Sequence, residues 1–179
     1  MVPLLPQEKA HKGRSREIES SFTFLCECGI IKEKGDFAMD LVNEYVNAIH
    51  LMNEYEKELE KKESVKKYNR LSDKNRKIAS SIETKYPELK PVFYELLFSD
   101  KAEVRAWVAH HILEVMNYEN KCRKAAFEEI VRIVKGGSSV DALGNAMWLK
   151  QWLDKHPEDR ELLILHVDGF AEAMRSLTE

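Results

Sequence analysis

Turn-forming residues are scarce in this chain: seven glycines and five prolines are 12 of 179 residues, against roughly 12% in an average globular protein. A sandwich or barrel needs turn signals every 8–12 residues or so. The remaining composition, rich in Lys, Glu, Leu and Ala, favours helices, and the length suits one domain or one domain with an arm.

Bulk charge excludes little by itself. The formal net charge is -3, which gives no global case for a nucleic-acid partner or an anionic membrane. No apolar run approaches the length of a membrane-spanning helix. The opening Met1-Val2-Pro3-Leu4-Leu5-Pro6 lacks a charged leader region and is broken by two prolines, unlike a secretory signal. Three cysteines do not form an even framework, and Cys26-Glu27-Cys28 has no His pair to complete a zinc pattern. A reduced, cytoplasmic protein without cofactor or metal is the expectation.

Residues 1–35 read as an N-terminal arm, with Lys9, Lys12, Arg14 and Arg16 set against Glu8. Between Ser15 and Ile31 the pattern fits either a short helix or a strand, and Gly29 and Gly35 bracket a turn. Residues 36–179 read as a single helical-repeat domain. Asp36 is placed to cap a helix whose stripe is Phe37, Leu41, Val42, Tyr45, Ile49 and Met52. The pattern continues into a Lys/Glu run ending near Asn69, and a second helix is expected from Ser72 or Asp73 to Tyr86. Pro87 and Pro91 confine a helix start. Asp100 with Glu103 has the spacing of a capping box ahead of Val104, Trp107, Val108, His111, Ile112 and Val115. A helix from about Glu119 stops at Gly136-Gly137, where left-handed backbone is expected. Ser138 or Ser139 caps the next, a loop follows at Lys155-His156-Pro157, and Asp168-Gly169 is a candidate break in the final stretch.

Residues 87–116 and 119–154 repeat one plan: apolar helix, capped connection, second helix. The period of roughly 33 residues is that of a helical solenoid. Within this region, Pro91 to Ala109 resembles the signature of HEAT-like repeats. An acid followed by Val-Arg and Ala opens the second helix, here Asp100, Val104, Arg105, Ala106 and onward to Ala109. The remainder, through Gly136-Gly137, Ala142, Trp148 and Trp152, is similar to a small bacterial family of HEAT-like helix pairs with no assigned function. The resemblance covers residues 72–155, and the second pair departs from it at Leu143-Gly144-Asn145. It implies an all-α fold, a short right-handed α-solenoid of antiparallel HEAT-like helix pairs. Members of that family look like neighbours of polymorphic toxins, which admits an immunity protein as the function. In such repeats an Arg at the position of Arg105 reaches along the solenoid, and Asp100, Glu103 and Asp141 are the candidate partners, Asp141 foremost.

Chemistry-bearing motifs are absent: no His-Glu-x-x-His, no Gly-rich phosphate loop, no nucleophile elbow. His110 and His111 point about 100° apart on a helix and cannot share one ion. His111 reads as a hydrogen-bonded core residue and His110 as solvated. Trp107, Trp148 and Trp152 read as core, with a DNA glycosylase-like use on a HEAT-like scaffold as the alternative. The basic run from Lys57 to Lys77 is interleaved with Glu58, Glu60 and Glu63, as on a solvated helix face. The acidic C-terminal residues Asp154, Glu158, Asp159, Glu161, Asp168 and Glu172 are the candidate partner-binding set, suited to cover the basic groove of a toxin domain. The expectation is therefore a non-enzymatic protein-interaction module whose partner is another protein, with no membrane and no nucleic acid.

Overall fold

The computed structural model describes residues 32–136 and 139–175, and all its regular elements there are helical. The chain divides into two compact units, residues 1–40 and 41–179. In the first, the described part is the opening of helix α1 (Lys32–Glu56). Gly35 and Asp36 lie inside this helix, so neither the turn at Gly35 nor the cap at Asp36 is formed. One interior glycine costs about 1 kcal/mol, which the stripe further along the same helix outweighs. The readings made for Ser15 to Ile31, for Cys26 and Cys28, and for Gly137 and Ser138 lie outside the described residues.

In the second unit, Val42, Tyr45, Ala48, Ile49 and Met52 bury one face of α1 at steps of three and four. The helix then ends earlier than its charge pattern suggests. A turn over residues 57–61 separates it from α2 (Lys62–Lys85), with the N–H groups of Glu58 and Lys61 donating to the carbonyls of Tyr55 and Glu58. No new helix starts at Ser72 or Asp73; α2 runs straight through them. The reason is burial. Residues 57–61 are all exposed, and side-chain ion pairs contribute only a few tenths of a kcal/mol each. Asn75, Ile78, Ala79 and Ile82 are buried and hold the later segment.

Pro87–Leu89 forms a 3-10 turn, followed by α3 (Lys90–Glu95) and a second 3-10 turn at Leu96–Phe98. Both prolines sit in a first turn, where no hydrogen-bond donor is needed. Helix α4 (Ala102–Glu114) starts after Lys101 without a side-chain cap. The Asp100–Glu103 capping box does not form; the Ser99 hydroxyl instead accepts from the Lys101 N–H at 3.2 Å. Helix α5 (Asn120–Lys135) ends at Gly136, whose backbone is right-handed (φ -68°, ψ -4°) rather than left-handed. Ser139 does cap α6 (Val140–Lys155), its hydroxyl accepting from the Ala142 N–H at 3.1 Å. The chain breaks at His156-Pro157 and again at Asp168-Gly169, giving α7 (Asp159–His166) and α8 (Phe170–Arg175). Gly169, at φ +78°, supplies the left-handed turn between them.

Helix α5 is the hub of this unit: α4, α6, α7 and α8 all pack against it. That explains why its buried residues, Ala126, Phe127, Glu129, Ile130, Val131 and Val134, exceed a single stripe. Arg105 is tied into the hub. Its Nε donates to Glu129 at 3.0 Å and its Nη1 to the Ser99 carbonyl at 2.7 Å, while Arg132 clasps the same carboxylate from α5. The expected partner Asp141 is exposed and is not the one used. Glu129 wins because it is the carboxylate on the helix that packs directly against α4.

His111 is buried as expected, with Nδ1 2.7 Å from the Tyr45 hydroxyl. Phe93 meets the Tyr45 ring edge-on. Tyr45→Phe would keep this packing and leave one buried histidine nitrogen unpartnered. The expected loss is about 1–3 kcal/mol, read as a lower urea midpoint; an unchanged midpoint would show that the pair contributes nothing.

Candidate functional site

The three tryptophans are not core residues; each is only partly buried. Trp148 and Trp152 are four residues apart on α6, and His156 follows at the same spacing just past its end. They therefore line up on one face. The two indoles stack at 5.1 Å with planes 23° apart, and the His156 ring stacks on Trp152 at 3.9 Å and 21°. At the other end His110 of α4 meets Trp148 edge-on at 4.5 Å. His110 is thus not simply solvated: its Nε2–H donates to the Asn145 side-chain carbonyl at 2.9 Å.

Both indole N–H groups reach a carboxylate. Trp148 donates to Glu114 at 2.7 Å and Trp152 to Asp159 at 2.8 Å. Arg76 of α2 donates to the other oxygen of Glu114 at 2.8 Å. His110, 3.7 Å away, and the hydrogen bonds from Arg76 and Trp148 overcome the effect of partial burial and hold the Glu114 carboxyl down to about 2. Asp159 is 5% exposed and takes Arg123 of α5 on both oxygens, at 2.7 and 2.5 Å. Two buried or half-buried acids therefore fix the ring stack from either end.

Trp152 and His156 line an open cleft of about 590 Å³. Leu113, Tyr118, Arg123, Glu158, Asp159 and Glu161 are among its other lining residues. Tyr118 is held in place by donating its hydroxyl to the Lys90 carbonyl at 2.7 Å, and burial pushes its phenol well up.

Of the six acids expected to bind a partner, Glu158, Asp159 and Glu161 come together around this cleft. Asp159 is occupied by Arg123 and Trp152 and offers no free face, whereas Glu158 and Glu161 are exposed. Asp154 and Asp168 are exposed elsewhere, and Glu172 of α8 pairs with Lys135 at 2.7 Å. Arg123, Tyr118 and His156 belong to the cleft and were not singled out from the sequence. The four-residue spacing from Trp148 through Trp152 to His156 was the available signal.

Among the described residues, no group of three or more His, Cys, Asp or Glu side chains is placed to hold a metal ion. No helix of the described residues is long and apolar enough to cross a membrane. Four of the nine basic residues between Lys57 and Lys77 pair with acids: Lys57 with Glu54, Lys61 with Glu58, Lys74 with Glu44 and Arg76 with Glu114. No known protein family matches the chain, and neither a curated protein nor a solved structure is similar to it.

Proposed function

We propose that the chain is a non-enzymatic protein-interaction module, most concretely a cytoplasmic immunity protein that binds and occludes a partner toxin. Its scaffold on this reading is a short right-handed solenoid of HEAT-like helix pairs. The sequential packing of α4 on α5 and α5 on α6 supports that arrangement.

One observation carries the reading: the surface of the last third of the chain combines exposed apolar side chains with free acids. Val140, Leu143 and Met147 on α6 and Ile164 and Leu165 on α7 are 52–88% exposed. Val140, Leu143 and Met147 follow a three-then-four spacing and so form one outward stripe, continued by Asp154. Such a stripe is where a protein partner gains hydrophobic contact, and flanking acids set its charge preference. The nucleic-acid enzyme alternative has no observation in its favour, because the cleft presents three carboxylates against the single arginine Arg123 and a polyanion would be repelled.

The test is a titration of the full chain against the product of an adjacent reading frame. Nanomolar binding that Leu143→Asp with Met147→Asp weakens by about tenfold or more, as expected for losing central apolar contacts, supports the reading. No binding to any neighbouring product overturns it.

A further inference from the structure

We infer that the cleft at the end of the ring stack is a receptor for a guanidinium group, supplied by an arginine side chain of the protein partner. The source of that arginine rests on the proposed interaction; the chemistry of the cleft stands on its own geometry.

Shape comes first. The stack Trp148–Trp152–His156 is an ordered series of nearly parallel rings, and it stops at His156. Trp148 and His156 both stack on Trp152. Among the described residues no other ring stacks on His156, and His156 lines the cleft. A flat group entering there would continue the stack. A guanidinium is flat and delocalised and stacks on rings readily, whereas an ammonium is a compact, strongly hydrated point charge.

Charge gives the same answer. Arg123 is the one fixed cation of the lining, and its charge is already matched by Asp159 at 2.5–2.7 Å. Glu158 and Glu161 remain, both exposed and neither bonded to Lys or Arg among the described residues. Glu158 sits at the rim of the imidazole, Oε1 lying 3.1 Å from His156 Nδ1. A planar cation stacked on His156 would thus have a carboxylate beside it, the arrangement in which a guanidinium donates two parallel hydrogen bonds. An anion would find the only arginine of the lining engaged and two exposed carboxylates opposed to it.

The receptor is also held ready. The Trp152 N–H is anchored to Asp159, Asp159 to Arg123, and Arg123 stands on the hub helix α5. Little side-chain order has to be lost when the ligand arrives, which favours binding over a mobile surface of the same composition.

The experiment uses the full chain labelled with nitrogen-15 at pH 7.5. The indole N–H resonance of Trp152 is followed while Nα-acetyl-argininamide, the lysine analogue, the neutral citrulline analogue or inorganic phosphate is added. The arginine probe is expected to shift the resonance saturably in the millimolar range, the lysine probe about fivefold more weakly, and citrulline and phosphate not at all. Glu158→Gln with Glu161→Gln is expected to weaken the arginine probe by about fivefold, the scale of removing two exposed charges, without moving the urea midpoint. A saturable shift with citrulline or phosphate, equal binding of lysine and arginine, an unaffected double variant, or no shift at all would overturn the inference. A chain that binds its neighbour's product while ignoring the arginine probe keeps the interaction and loses the receptor. One that binds the probe and no neighbour keeps the receptor and loses the partner.

Discussion

Asp159→Ala is expected to destabilise the folded chain by about 3–5 kcal/mol, the usual cost of removing one side of a buried ion pair. The carboxylate is almost fully enclosed, and it accepts from Arg123 on both oxygens and from the Trp152 indole. Its loss strands a guanidinium whose own side chain is only 18% exposed, and it leaves an indole N–H unpaired. For a chain of this length such a loss corresponds to a thermal midpoint lower by roughly 10 °C. Asp159→Asn keeps an acceptor for the indole but not the charge, so its midpoint should fall between the wild type and the alanine variant. Adding Arg123→Ala to the alanine variant should cost less than the sum of the two single changes, since the stranded charge goes too. An Asp159→Ala protein that unfolds at the wild-type midpoint would refute this role of the Asp159–Arg123 pair.

Stability should fall with acid in two separable stages. Burial lowers the His111 imidazole from near 6.5 to about 4, so between those values the unfolded chain takes up a proton that the folded one refuses. Stability from this group is therefore intact above pH 6.5 and declines as the pH falls toward 4. Glu114 is also depressed, from 4.5 to about 2; its contribution is present above pH 4.5 and is lost as the pH falls through 2. Each stage is worth about 3 kcal/mol, at 1.36 kcal/mol per unit of displacement. Urea midpoints measured from pH 8 to pH 2 should show both declines. In His111→Gln the upper one should flatten, and in Glu114→Gln the lower one should shrink. A variant whose profile parallels the wild type would show that its group is not the source.

The parts of this structure that the sequence announced are those set by local chemistry. Pro87 and Pro91 can occupy only a first turn, Ser139 is a natural cap, and Asp168-Gly169 permits the reversal that splits the last two helices. What stayed hidden depends on neighbours distant in the chain. The helix break at 57–61 follows from a lack of anything to bury there, while the charge spacing through it looks regular. Arg105 chose Glu129, 24 residues away, because α5 lies against α4. Asp159 looked like one surface acid among six, and only the approach of Arg123 and Trp152 makes it a buried anchor. For the ring stack the spacing was visible, but whether such a face points inward or lines a cleft is decided by what packs on it.

Helices α7 and α8 have eight and six residues, well short of the length at which a helix persists in water by itself. They exist only while docked on α5, with Leu163, Phe170 and Ala173 buried and the Asp159–Arg123 and Glu172–Lys135 ion pairs joining them to that helix. The terminal segment is therefore a piece whose order depends on the folded hub helix. Much of the acidic surface belongs to that piece. A partner gripping it would clamp the segment in place as well, so that affinity and local order at this end of the molecule become a single quantity.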